Sequence, residues 1–182
     1  MILDECIRGQ EKLAVATAMF GVAASIMSRG RTTHLHFKIP LSVDDGAFCS
    51  FTKLSGTAKL IRMASLIICD EASLTKIQAV KALDNSLRDI MTRPELLFSG
   101  KTVLFGGDFR QVIPVVRKGS RAQIIDASLR RSYLWDCMRH LKIVRNMRAQ
   151  SDPWFAEYLL ALVVAPRRPM VMEMYVFLTI YA

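Results

Sequence analysis

Apolar runs separated by polar clusters divide the chain into alternating strand-like and helix-like stretches. Leu13 to Ala18 is a short apolar run. From Gly21 the apolar positions switch to helical spacing through Val22, Ile26 and Met27, and Arg29–Gly30 closes the segment. This predicts strand, loop and helix. Leu41 to Gly56, with Asp44, Asp45, Gly46 and several serines, reads as a long surface loop without core positions. Ser65 to Cys69 is continuously apolar and stops abruptly at Asp70 and Glu71, the pattern of a strand buried on both faces in a parallel sheet. Leu74, Ile77, Val80, Leu83, Leu87 and Ile90 recur every three or four residues, which predicts a helix with Ser73 as its N-cap and Pro94 beyond its end. Lys101 to Phe105 repeats the strand pattern and ends in Gly106, Gly107 and Asp108. Leu141, Ile143 and Val144 predict a short strand, and Asp152–Pro153 opens a helix through Trp154, Phe155, Tyr158, Leu159 and Leu162.

Composition narrows the class. Over 182 residues, 52% hydrophobic and 23% charged residues supply a core and exclude disorder as the main reading. The apolar runs Leu13 to Met27 and Met170 to Ala182 are both short for a membrane span, so a soluble protein without membrane partners is expected. Four cysteines without Cys-x-x-Cys spacing and three scattered histidines make no recognisable zinc pattern and fit a reducing compartment. The net charge is +9, and Arg117 to Arg148 carries nine Lys or Arg against Asp126 and Asp136, or +7 of that total. That segment is either a polyphosphate-facing surface or a solvated basic face.

Two apolar strands thus deliver acidic residues from their carboxyl ends, the edge where open α/β sheets bind ligands. A strand running directly into Asp-Glu suits a nucleoside triphosphatase, in which the aspartate holds Mg²⁺ through water and the glutamate polarises the attacking water. A strand end with two acids is also common as plain structure, and the neighbouring residues decide between the two.

CDEAS (Cys69 to Ser73), LRDIM (Leu87 to Met91), KTVLFGGDFRQVIPVV (Lys101 to Val116), KGSR (Lys118 to Arg121) and NMRAQ (Asn146 to Gln150) occur in this order. Together they resemble the PIF-type (petite integration frequency) DNA helicases of superfamily 1, closest to the Helitron-helicase-like branch, over about Leu13 to Leu162. The resemblance implies an α/β fold, an incomplete RecA-like P-loop NTPase domain with a largely parallel sheet flanked by helices. It implies ATP and Mg²⁺ as cofactors and single-stranded or forked DNA as partner. Asp70 and Glu71 match the Mg²⁺-binding and water-activating pair of motif II. Gln111 matches the motif III glutamine that senses the γ-phosphate and links it to DNA. Arg148 matches the motif IV arginine that reaches the γ-phosphate from the second motor domain. Residues 16–24 and 30–34 resemble motif Ia and the DNA-contacting region after it, which makes Thr17 and His34 DNA-contact candidates; Met19 and Phe20 stand where small hydroxyl residues are typical. A structural role for His34 stays open.

The phosphate-cradling G-x-x-x-x-G-K-[ST] should precede motif Ia by a strand and a helix, and the 182 residues do not contain it. Gly100-Lys101-Thr102 mimics its tail, but the triplet enters a strand where a phosphate loop must enter a helix. The expected organisation is a partial motor domain over 1–138, the start of a second motor domain over 139–162 and an unmatched apolar tail over 163–182. Such a tail fits a truncated gene model or a hydrophobic association segment. The expected function is ATP-dependent DNA unwinding, 5′ to 3′, in repair, recombination and telomere maintenance in the nucleus, present here in a truncated chain. The alternative is a non-catalytic nucleic-acid-binding remnant of such a helicase.

Overall fold

The apolar run before Asp70 becomes the centre of a sheet. The computed structural model describes residues 12–107, 114–143, 152, 154–155 and 157–158, together with the backbone of 172–177; at 142–143 too only the backbone is described. Its strands are β1 (Leu13–Ala18), β2 (Arg31–Thr32), β3 (Ala64–Asp70), β4 (Thr102–Gly106), β5 (Arg139–Ile143) and β6 (Met172–Phe177). Among the described residues they form one six-stranded sheet in the order β2-β1-β3-β4-β6-β5. β2, β1, β3 and β4 run parallel, and β6 is antiparallel to both of its neighbours. The parallel, adjacent pairing of the strands before Asp70 and Gly106 agrees with the reading from their apolar runs. Residues 139–143 and 172–177 join the same sheet, so the sequence boundary at 138/139 falls inside it.

β3 is covered on both faces. Ile67 and Cys69 pack in a core with Val15, Val103 and Phe105, while Leu66 and Ile68 lie with Ala14 and Leu104 in a second cluster. The helices are α1 (Gly21–Ser25), α2 (Thr33–Phe37), α3 (Gly56–Met63), α4 (Ile77–Met91), α5 (Arg121–Asp126) and α6 (Tyr133–Asp136). α4 lays Val80, Leu83, Leu87 and Ile90 into the larger core, each within 7% of complete burial. Leu87 is wholly buried, which is worth roughly 1.5–3 kcal/mol relative to exposure.

Three local expectations change. Ser73 does not cap α4. It is buried in a 3₁₀ turn (Ala72–Leu74), and α4 starts after Lys76 without a side-chain cap, the Ile77 N–H donating instead to Ala127 O at 2.9 Å. The 41–55 segment has no regular element, as expected, yet it contributes core: Cys49 is buried, with Val43 and Phe51 packed against the same cluster. α4 holds this segment down its flank through Lys81–Asp45 (3.2 Å), Asn85 to Ala47 O (3.2 Å), Ser86 to the Cys49 N–H (2.8 Å) and Lys53–Asp89 (2.7 Å). Positions 81, 85 and 89 recur every four residues along one helix face. Finally, α3 follows the loop, N-capped by Ser55, whose hydroxyl accepts from the Ala58 N–H. Its periodicity is too short to stand out beside the adjoining strand. Asp152 meets the capping expectation, its Oδ1 accepting from the Phe155 N–H at 2.9 Å. Among the described residues no helix is long and apolar enough to cross a membrane.

Candidate functional site

β3 carries Asp70 to the carboxyl edge of the sheet, and the chain turns there at once. Glu71 adopts a left-handed backbone (φ 56°, ψ 35°), which costs a non-glycine residue about 1–2 kcal/mol. Strain of this kind persists only where the surroundings hold it. Asp70 is part of that hold, because its Oδ1 accepts from the Glu71 N–H at 2.9 Å. The Leu74 and Thr75 N–H groups then close the 3₁₀ turn on Glu71 O and Ala72 O. Both acids remain half-exposed.

The end of β4 seats against this turn. A Cβ on Gly106 would stand 2.8 Å from Asp70 Oδ1, and one on Gly107 would stand 3.0 Å from Ser73 N. The glycine pair therefore lets β4 approach the acidic turn more closely than any other residue allows. Asp70 and Glu71 thus lie on one edge beside Gly106–Gly107. Gln111 and Arg148, the other two proposed nucleotide contacts, lie outside the described residues.

The same edge carries a cleft of about 440 Å³ lined by Met19 and Phe20 after β1, His34 in α2, Leu74 and Lys76 after β3, and Val115 after β4. Phe20 is 55% exposed. Burial pushes the His34 pKa below its ordinary value and so disfavours a charged imidazole in this cleft. The sequence reading named His34 as a contact, noted Phe20 only as a departure from the family pattern, and passed over Lys76. An aromatic directly after an apolar strand was the available signal.

Thr17 is a correction. It is completely buried, its hydroxyl donating to Ile68 O at 2.8 Å and accepting from the Thr33 hydroxyl at 3.2 Å. Its side chain alternates inward in β1 and ties β1 to β3, so it has no path to DNA. Thr17 also hydrogen-bonds the Cys69 thiol, whose pKa burial pushes up to about 11; the hydroxyl opposes that shift and the Asp70 charge adds to it. Cys69 is thus an inert core thiol. Lys101 settles the mimic phosphate loop: its Nζ donates to Ala64 O (2.7 Å) and Arg62 O (2.8 Å), at the edge opposite Asp70.

In the basic segment Arg117, Lys118, Arg121, Arg130, Arg131 and Arg139 are all exposed. Arg130 lies over the Trp135 ring and Arg131 pairs with Asp126 at 3.7 Å.

Among the described residues no three His, Cys, Asp or Glu side chains gather into a metal cage. One carboxylate at a sheet edge nevertheless suits Mg²⁺, which keeps most of its water and takes few protein ligands. A parallel sheet core with an acidic pair at its carboxyl edge and a glycine pair beside it is the architecture of a RecA-like α/β domain. A family model for PIF1-like helicases matches residues 1–157. The chain belongs to that family.

Solved structures agree. A Pif1 helicase from Bacteroides in complex with ADP-AlF3 and single-stranded DNA is 27% identical, with a TM-score of 0.58 over 71% of this chain and 32% of that one. A structure of two coordinating Pif1 helicases at forked double-stranded DNA is 26% identical, with a TM-score of 0.56 over 68% and 30%. A double mutant of the Bacteroides helicase, 23% identical, shares the fold with a TM-score of 0.67 over 83% and 36%. The chain therefore spans about a third of the length of these helicases. No curated protein matches it in sequence at a significant level.

Proposed function

We propose that this chain is part of an ATP-dependent DNA helicase motor. The observation that carries the reading is the Asp70–Glu71 turn at the carboxyl edge of β3, seated against Gly106–Gly107 of the adjacent parallel strand. In this reading Asp70, its Oδ1 already fixed by the Glu71 N–H, is the residue that would hold Mg²⁺. Glu71 orients and polarises the attacking water, and its strained backbone fixes where that carboxylate stands. Mg²⁺, when bound, neutralises charge on the phosphate oxygens. By the family resemblance, Gln111 would sense the γ-phosphate and Arg148 would be the arginine that serves it from the second motor domain. The cleft beside Phe20, His34 and Lys76 takes single-stranded or forked DNA, with bases stacked on the exposed Phe20 ring, and the exposed basic segment adds sequence-independent attraction for phosphates. Unwinding 5′ to 3′, roles in repair, recombination and telomere maintenance, and a nuclear location follow from the family resemblance.

A second reading has its own observation. The 182 residues hold no phosphate loop, so the polypeptide by itself binds nucleic acid without turnover. Steady-state phosphate release with and without single-stranded DNA separates the two. The 182-residue chain is expected to stay at background. A chain extended to include the phosphate loop and the second motor domain is expected to hydrolyse ATP when DNA is added. In that chain Glu71→Gln should lower turnover at least ~100-fold while ATP still binds. Robust hydrolysis by the short chain, or full activity of Glu71→Gln, refutes the assignment.

A further inference from the structure

The cleft at the carboxyl edge is poorly suited to phosphate. Its volume of about 440 Å³ falls in the range of small-ligand pockets, roughly 300–1,000 Å³. Seven of the described residues lining it are apolar, among them Met19, Leu41, Val43, Leu74 and Val115, and Lys76 is the only Lys or Arg of that set. Leu41 is 93% exposed, Val115 77% and Phe20 55%, so apolar surface reaches out to solvent.

The walls of the cleft are fixed. The Met19 N–H donates to Asp70 O at 3.1 Å and the Leu74 N–H to Glu71 O at 3.2 Å, so backbone bonds tie both residues to the acidic pair. Val43 packs against the main core, and the segment that carries it is pinned to α4 by Lys81–Asp45 and by Ser86 accepting from the Cys49 N–H. The cleft is therefore formed before any ligand arrives.

Such a surface sorts the parts of a nucleic-acid strand. A phosphodiester drawn into it would lose its water and gain at most one cation, a cost without repayment. The face of a base is flat and largely apolar, gains from leaving water and stacks on aromatic rings. Two rings, Phe20 and His34, line the cleft, and the burial that disfavours charge on His34 suits an uncharged ligand beside it. The exposed arginines that can meet phosphates belong to another part of the chain, from Arg117 to Arg139.

We propose that the cleft is a one-base pocket: a single unstacked base of single-stranded DNA enters it and packs on Phe20, while the flanking phosphates stay outside. The proposal rests on the DNA-binding reading given above and adds that contact at this edge is made through a base rather than through the backbone.

Strands that keep their phosphates and lose their bases test it, on the 182-residue chain, by fluorescence anisotropy. A thymidine oligomer of about 12 nucleotides should bind at least ~10-fold more tightly than an abasic strand of the same length and charge. An abasic strand carrying one central thymine should recover most of that difference. Both affinities should fall between about 50 and 200 mM salt while their ratio holds, because burying a base releases no counterions. Phe20→Ala, at a half-exposed side chain, should bring the ratio close to one. Val115→Asp, which sets a carboxylate in the same cleft, should do likewise if that variant fails to fold. Equal binding of the two strands by the unaltered chain overturns the proposal and leaves the DNA-binding reading standing. So does a ratio unchanged by the substitutions, which puts the base contact elsewhere, or a recovery that needs several bases. Binding of neither strand overturns the DNA-binding reading and the proposal with it.

Discussion

Gly107→Ala should destabilise the chain although it adds only a methyl group. The new Cβ would stand 3.0 Å from Ser73 N and 3.3 Å from Ala72 N, both backbone atoms of the 3₁₀ turn that follows Glu71. Ordinary contact requires about 0.4 Å more, so β4 and the acidic turn must separate or tilt, and neither can rotate away as a side chain would. Overpacking of this size costs about 1–3 kcal/mol. With a urea m-value of about 2 kcal/mol/M, the unfolding midpoint should fall by roughly 0.5–1.5 M at unchanged m. Gly56→Ala is the matched control: its Cβ enters open space in the first turn of α3, where the substitution should raise stability by about 0.4–1 kcal/mol. Gly106→Ala should fall between them, since its Cβ meets the far end of the Asp70 side chain, which can move, though only by leaving the Glu71 N–H. Urea unfolding followed by far-ultraviolet circular dichroism reads all three. Indistinguishable midpoints for Gly107→Ala and Gly56→Ala would refute the claim that β4 is seated on the acidic turn.

Thr17→Val should cost about 1–2 kcal/mol by leaving Ile68 O and the Thr33 hydroxyl without their partner, and should leave affinity for single-stranded DNA unchanged; weakened DNA binding at equal stability would restore Thr17 as a contact. Iodoacetamide at pH 8 should modify exposed Cys137 well before Cys49 and Cys69, whose thiol pKa values burial lifts to about 11, and mass spectrometry showing equal rates would contradict that placement. Because the unfolded thiols ionise near pH 9, these two groups contribute no pH dependence below that value and lower stability as pH rises through 9 towards 11. Affinity for single-stranded DNA, followed by fluorescence anisotropy, should fall at least ~10-fold between 50 and 200 mM salt, and Phe20→Ala should weaken it by about 1–3 kcal/mol. Salt-independent binding would remove the basic segment from the interface.

Much of the site was legible because its signals are local. An apolar run long enough to be buried on both faces must end where water begins, and Asp70–Glu71 marks that end of β3. The same logic placed β4 and its glycines, and the repeat of Leu83, Leu87 and Ile90 placed α4. The ordered motifs around them were enough to indicate a helicase. Other features depend on contacts between residues far apart in sequence. Nothing near Thr17 reveals that its hydroxyl would meet Ile68 O, 51 residues away, and so be withdrawn from solvent. Cys49 looks like a loop residue until α4 is present to bury it and Ser86 accepts its N–H. Ser73 has the sequence of an N-cap, but a backbone bond from Ile77 to Ala127 takes over that role. The side on which β5 and β6 join the sheet also had no local signal, because strand pairing is chosen among edges only after the other strands exist. Sequence determines which residues seek burial and where the chain must turn. Tertiary structure decides which polar groups satisfy one another inside and which remain at the carboxyl edge for a ligand, because hydrogen-bond partners and burial belong to the assembled fold.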